Sequence, residues 1–191
     1  ALEGKGIESI ANIQYTDRKA VVDRFAHQTH WCAFRHYCHA DRGVNIPQLA
    51  FATNDAWQIV VALGEDNNFP ILLQARYGAG SLYVLTVPED LGELYHYPQE
   101  VLHVLRRAIA GKLPVILDAP AKVALFAYDN DTFVVESFLP YRQDIRLTVK
   151  KPGARLQELV TGEVLAGEPS VSGTVFTVSM PGSTYLAYKI V

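Results

Sequence analysis

From Ile46 onward the chain is a succession of short β-branched and aromatic runs cut apart by turn residues, a texture that suits antiparallel sheet and little else. "PQLAFATN", "AWQIVVAL", "PILLQARY" and "SLYVLTV" follow one another. Between them stand Asn54-Asp55, Gly64-Glu65-Asp66-Asn67-Asn68 and Gly78-Ala79-Gly80. Each separator is turn chemistry, so residues 46–87 are expected to form successive strands with hairpin connections. One segment breaks the pattern. "PQEVLHVLRRAIAGK" sets Val101, Leu102, Leu105, Ala108 and Ile109 at helical spacing, with Pro98 near its start and Gly111 at its end. It predicts the longest helix, over residues 98–110.

After about residue 112 the pattern is short strands and turns to the end. "VALFAY" and "TFVVESF" flank Asp129-Asn130-Asp131, and "DIRLTVK" alternates Ile145, Leu147 and Val149. "LQELV" and "EVLAG" flank Thr161-Gly162, while "GTVFTVSM" and "TYLAYKIV" flank Pro181-Gly182-Ser183. This regular spacing predicts a separate antiparallel β-sandwich over residues 113–191. Residues 1–112 precede it as a partial α/β segment, so the fold class is mainly β with one principal helix. Residues 7–25 are less regular. There Ile7, Ile10 and Ile13 are parted from Val21, Val22 and Phe25 by the polar Thr16-Asp17-Arg18-Lys19, which reads as a turn between two short elements.

Composition narrows the function classes. Hydrophobic residues make up 49% and charged residues 19% of the 191, enough apolar material for a real core. A net charge of −3 argues against a chain that gains affinity by neutralising phosphates, so nucleic acid is not an expected partner. No apolar run approaches the roughly 18 residues of a membrane span, and no charged-then-apolar leader opens the chain. A soluble protein is expected, with the cytoplasm favoured over secretion but secretion left open, since two cysteines make no disulfide framework. The chain starts at Ala1 and its one Met is Met180, which suggests a piece of a longer polypeptide.

The densest chemistry lies in "HQTHWCAFRHYCHADRG", His27–Gly43, which holds four of six histidines and both cysteines. Zinc needs about four ligands converging tetrahedrally. His27, His30, Cys32, His36, Cys38 and His39 have the right chemistry but match no paired knuckle spacing. On a strand His36, Cys38 and His39 would also split across two faces. A Cys–His nucleophile is the second reading, yet Cys32 lacks the glycines of a sharp nucleophile turn. Interleaved Trp31, Phe34 and Tyr37 favour a third reading, a contact surface. We therefore expect Trp31, Phe34, His36, Tyr37 and Trp57 to make interface or sugar contacts, and we assign no catalytic, cofactor or metal residue. Asp129 and Asp131, or Glu89, Asp90 and Glu93, resemble catalytic carboxylate pairs only superficially, because turns and a helix start already account for them. "RYGAGS" joins two strands and opens no helix, so it is not read as a phosphate cradle.

"PILLQARYGAGSLYVLTVPEDLGELYHYPQEVLHVLRRAIAG" resembles the closing section of class I glutamine-amidotransferase-like domains, in which a strand, a "YG-x-G" hairpin, a second strand and a last helix finish the sheet. Such domains recur without amidotransferase activity in glycoside hydrolases, including the trimerisation domain of one bacterial β-galactosidase family. "VALFAYDNDTFVVESFLP", "LQELVTGEVL" and "VFTVSMPGSTYLAYKIV" look like the C-terminal β-sandwich that closes many glycoside hydrolases. The "TGE" hairpin of that module corresponds to Leu159-Val160-Thr161-Gly162-Glu163, and its late turn to Pro181-Gly182. The resemblance covers about residues 69–191 and leaves 1–68 unmatched. No Gly-x-Cys-x-Gly turn occurs, and neither His96 nor His103 is followed two residues later by Glu. No catalytic residue carries over. The resemblance implies a non-catalytic accessory or assembly region of a larger carbohydrate-active protein, whose partners are other domains of that polypeptide or further copies of itself. A carbohydrate-binding module using exposed aromatics (Trp31, Trp57, Tyr77, Tyr95, Tyr97) is the alternative. A stand-alone metal or nucleophile site in residues 27–39 comes third.

Overall fold

The polar Thr16–Lys19 segment does not turn the chain. In the computed structural model, which describes residues 14–28, 35–50, 57–65, 68–77 and 79–191, a single strand β1 runs Gln14–His27. Its partner β2 (His36–Ala50) pairs Tyr15 with Leu49 and then Lys19 with Pro47, so residues 16–18 bulge opposite Gln48. Asp17 takes φ 58° there, and the Thr16 hydroxyl donates to the Gln48 carbonyl at 2.7 Å. A bulge seats surplus polar residues without ending the strand, and this corrects the turn expected at Thr16–Lys19; Ile7, Ile10 and Ile13 lie outside the described residues. A second irregularity sets Asp23 against residues 40–43, between the pairs Val22–Val44 and Arg24–His39.

β3 (Trp57–Leu63), β4 (Asn68–Tyr77) and β5 (Gly80–Leu85) complete a five-stranded antiparallel sheet in the order β2-β1-β3-β4-β5. The central β3 buries Ile59, Val60, Val61 and Ala62 in succession, which means both its faces are covered. A 3₁₀ turn, Leu91–His96, follows, with Asp90 as its cap accepting from the Gly92 amide at 2.8 Å. The principal helix α1 spans Gln99–Ala110 and ends on Gly111 at φ 48°, the left-handed conformation that a helix stop prefers. Val101, Val104, Leu105 and Ala110 are its buried residues, while Ile109 is exposed, against the expected stripe. The chain divides into two compact units, Ala1–Leu105 and Arg106–Val191.

The second unit is the sandwich. Its strands are β6 (Val115–Asp118), β7 (Val123–Ala127), β8 (Thr132–Ser137), β9 (Gln143–Val149), β10 (Arg155–Glu158), β11 (Val164–Ala166), β12 (Glu168–Ser170), β13 (Gly173–Met180) and β14 (Thr184–Ile190). One sheet has the order β11-β10-β14-β8-β7 and the other β12-β13-β9-β6, with every pair antiparallel. Side chains alternate as the sequence predicts: Ile145, Leu147 and Val149 point inward and join Phe133, Val135, Leu156, Phe176, Met180 and Tyr188 in one apolar core. The last two strands belong to different sheets, so the Pro181-Gly182 turn is a crossing and not a hairpin. A Cβ on Gly182 would lie 2.7 Å from the backbone of Pro140 and Tyr141, which is why the crossing needs glycine. At the "LVTGE" hairpin the buried Glu158 carboxylate accepts the Val160 amide at 3.1 Å and the Thr161 hydroxyl at 2.7 Å. Those bonds, Thr161 first, hold its pKa below the ordinary carboxylate range.

Candidate functional site

The end of the first sheet, where β1 stops and β2 starts, collects the side chains with the most chemistry. His27 and His36 are paired across the two strands, their rings stacked with centroids 5.4 Å apart. Two residues along, Phe25 is paired with Cys38 on the same face, and the Phe25 ring lies 5.3 Å from that of Tyr97. The first turns of α1 bring Glu100 and His103 within electrostatic reach of His27. The sequence singles out His27, His36 and Cys38 as chemistry and Tyr97 only as an exposed aromatic, whereas Tyr97 is buried; Glu100 it does not single out. His103 is considered only for a following Glu. The signal available was Glu100 and His103 at i, i+3 on the predicted helix, hence on one face of it.

Burial sets the electrostatics. His27 is buried, and its Nδ1 has no hydrogen-bond partner among the described residues; the Tyr97 hydroxyl is in the same position. Loss of hydration lowers the His27 pKa, His36 and His103 push the same way, and Glu100 opposes them. Burial, with Glu100 behind it, pushes the Cys38 thiol up to about 11. Burial likewise raises Tyr97. The groups are thus held neutral. Cys38 is a thiol at neutral pH, where a nucleophile needs the thiolate. Among the described residues no three His, Cys, Asp or Glu side chains are gathered closely enough to hold a metal ion.

The expected contact residues are partly drawn together. His36 and Tyr37 open β2 with their side chains exposed, Tyr37 at 71%. Trp57 opens β3 half-buried, and its indole nitrogen donates to the Gln28 side chain at 2.7 Å. Gln28 directly follows His27 and its amide donates to the Ile59 carbonyl at 2.8 Å, so His36, His27 and Trp57 meet at one end of β2-β1-β3. Trp31 and Phe34 lie outside the described residues, as do His30 and Cys32. The candidate carboxylates are occupied or exposed. Asp129 and Asp131 stand in the β7–β8 turn, where Asp131 takes φ 61°. Glu89 pairs with Lys19, Asp90 caps the 3₁₀ turn, and Glu93 holds Arg42 at 2.8 Å and the Asn45 amide at 3.0 Å.

Two family models meet this architecture on different parts of the chain. Residues 114–190, the sandwich strands, match the model described as "Probable glycosyl hydrolase, C-terminal domain". The C-terminal part is therefore glycoside-hydrolase-like. Residues 2–90, which include the five-stranded sheet, match the second domain of the uncharacterized protein SSO3021. No curated protein matches the chain. Among the described residues no helix is long and apolar enough to cross a membrane.

Proposed function

We propose that this chain is a non-catalytic accessory and assembly region of a larger carbohydrate-active protein. The observation that carries this reading is the likeness of residues 114–190 to a glycosyl hydrolase C-terminal domain, on a segment folded as a β-sandwich. The proposed domains are residues 1–112, the end of an amidotransferase-like domain, and residues 113–191. In favour of the former, β4, the turn before Gly80, β5 and α1 follow one another in the order such a closing section implies. Its partners are other domains of the same polypeptide or a second copy, met through the exposed Tyr37 and His36, with Trp31, Phe34 and Trp57 as further contacts.

Expression of the gene's whole natural reading frame tests this. A polypeptide with glycosidase activity and its catalytic carboxylates outside these 191 residues is the expected outcome. A frame that encodes these residues alone contradicts it.

A further inference from the structure

The two outer faces of the sandwich differ in a way that solvent alone does not explain. On the four-stranded sheet, β9 and β13 turn Asp144, Arg146, Thr148, Thr177 and Ser179 outward, with Val175 the one apolar side chain among them. On the five-stranded sheet, strand registers align Phe126 with Val134 and Val134 with Ala187, and the Leu159 amide bonds to the Ala187 carbonyl at 2.8 Å. These four residues form an apolar stripe across β7, β8, β14 and the end of β10. At strand spacing it is about 14 Å long and one residue wide. Phe126 keeps 46% of its surface exposed.

Polar groups run along both sides of the stripe, about 7 Å away along the strands. On one side Glu136 is paired with Tyr185, and on the other Lys189 is paired with Gln157. None of these four makes a side-chain hydrogen bond or ion pair among the described residues. Tyr185 is 62% exposed and stands diagonally from Phe126, roughly 12 Å off by strand geometry.

We propose that this face binds a neutral oligosaccharide, an inference that rests on the carbohydrate-active reading above. A pyranose chain offers flat C–H faces edged by hydroxyls. That is the complement of an apolar stripe with the Phe126 ring at one end, the Tyr185 ring on its flank, and donors and acceptors along both edges. One Glu and one Lys cancel, so the face favours an uncharged ligand. A second copy fits poorly, because the stripe offers on the order of 100 Å² against about 800 Å² per partner in a stable interface. A protein partner would also have to desolvate Glu136 and Lys189, residue types that interface cores exclude.

The test is calorimetric titration of the full chain with cellohexaose, xylohexaose, mannohexaose and maltohexaose, repeated on Phe126→Ala, Tyr185→Ala and, on the opposite face, Thr177→Ala. All three positions are at least partly exposed and circular dichroism checks their folding. Binding of one or more hexaoses, weakened about tenfold by each aromatic substitution and unchanged by T177A, is the expected result. No binding by any of the four overturns the proposal, as does binding indifferent to F126A and Y185A. A dimer that dissociates on F126A overturns it too, since the face would then belong to a second copy. None of these failures touches the accessory reading, which falls only if the chain itself proves catalytic or stands alone.

Discussion

The two units satisfy their interiors by different means. In the sandwich every strand pair runs in unbroken register, and the buried Ser137, Glu158 and Thr174 side chains beside its apolar core are hydrogen-bonded. In the first unit the register slips twice between β1 and β2 and twice between β3 and β4, and the buried His27 Nδ1 and Tyr97 hydroxyl have no hydrogen-bond partner among the described residues. Regular pairing and apolar filling are what stability alone selects, whereas bulges and unsatisfied polar atoms carry a cost that something else must justify. On the inference drawn above, the sandwich is a scaffold whose specificity lies on its outer face. On the proposed function, the first sheet is a contact unit whose specificity lies at one end.

The largest expected effect tests the regular core. Leu147, fully buried in β9, should cost about 2–5 kcal/mol of stability as Leu147→Ala, measured by denaturant unfolding. A loss under about 1 kcal/mol would mean that this core relaxes easily, and the contrast between the units would fail. Gly173 follows. It sits at φ 133°, and a Cβ there would lie 2.0 Å from the Val149 carbonyl oxygen, so Gly173→Ala must shift the backbone of the β9–β13 pair. We expect about 2–3 kcal/mol in the same measurement, with no loss as the result that would dispute this geometry.

Much of the sandwich was legible from sequence because its turns are local. Asp129-Asn130-Asp131 announces the β7–β8 hairpin, and alternation of Ile145, Leu147 and Val149 announces the inward face of β9. Strand partnership was not legible. Pro181-Gly182 looks the same whether it closes a hairpin or crosses between sheets, and only the approach to Pro140 decides. The same limit hid the outer stripe, since Phe126, Val134, Ala187 and Leu159 align only once three registers are known. In the first sheet, Thr16–Lys19 misled because a bulge and a turn use the same polar residues. The imidazole cluster was half visible: His27 and His36 lie close in sequence, while Glu100 and His103 arrive from a helix more than sixty residues away.

Two smaller effects sharpen the contrast through pH. Glu158→Gln weakens the bonds that hold the "LVTGE" hairpin, for an expected loss of about 1 kcal/mol at neutral pH. Because the folded pKa of Glu158 is depressed, its contribution is present above the ordinary value of 4.5 and fades as pH falls below it. The substitution should therefore flatten the acid limb of the unfolding curve, and an unchanged limb would show the carboxylate to be idle. His27 behaves oppositely to a paired histidine. Its pKa is lower folded than unfolded, so the unfolded chain takes the proton first. Stability is full above about 6.5 and declines below it. Hydrogen exchange between about pH 7.5 and about pH 5.5 should quicken at β1 and β2 while the sandwich amides hold, and His27→Phe should abolish the difference. Equal quickening in both units would erase the distinction.

On the proposed function, these residues support carbohydrate chemistry without performing it. Turnover of aryl glycosides by the purified chain is the most direct measurement. No hydrolysis above buffer is expected at acid or neutral pH, because Asp129 and Asp131 serve a turn, Glu89 and Glu93 are paired, and Cys38 is held as a thiol. Hydrolysis that disappears in Asp129→Asn, Asp131→Asn or Cys38→Ser would contradict it.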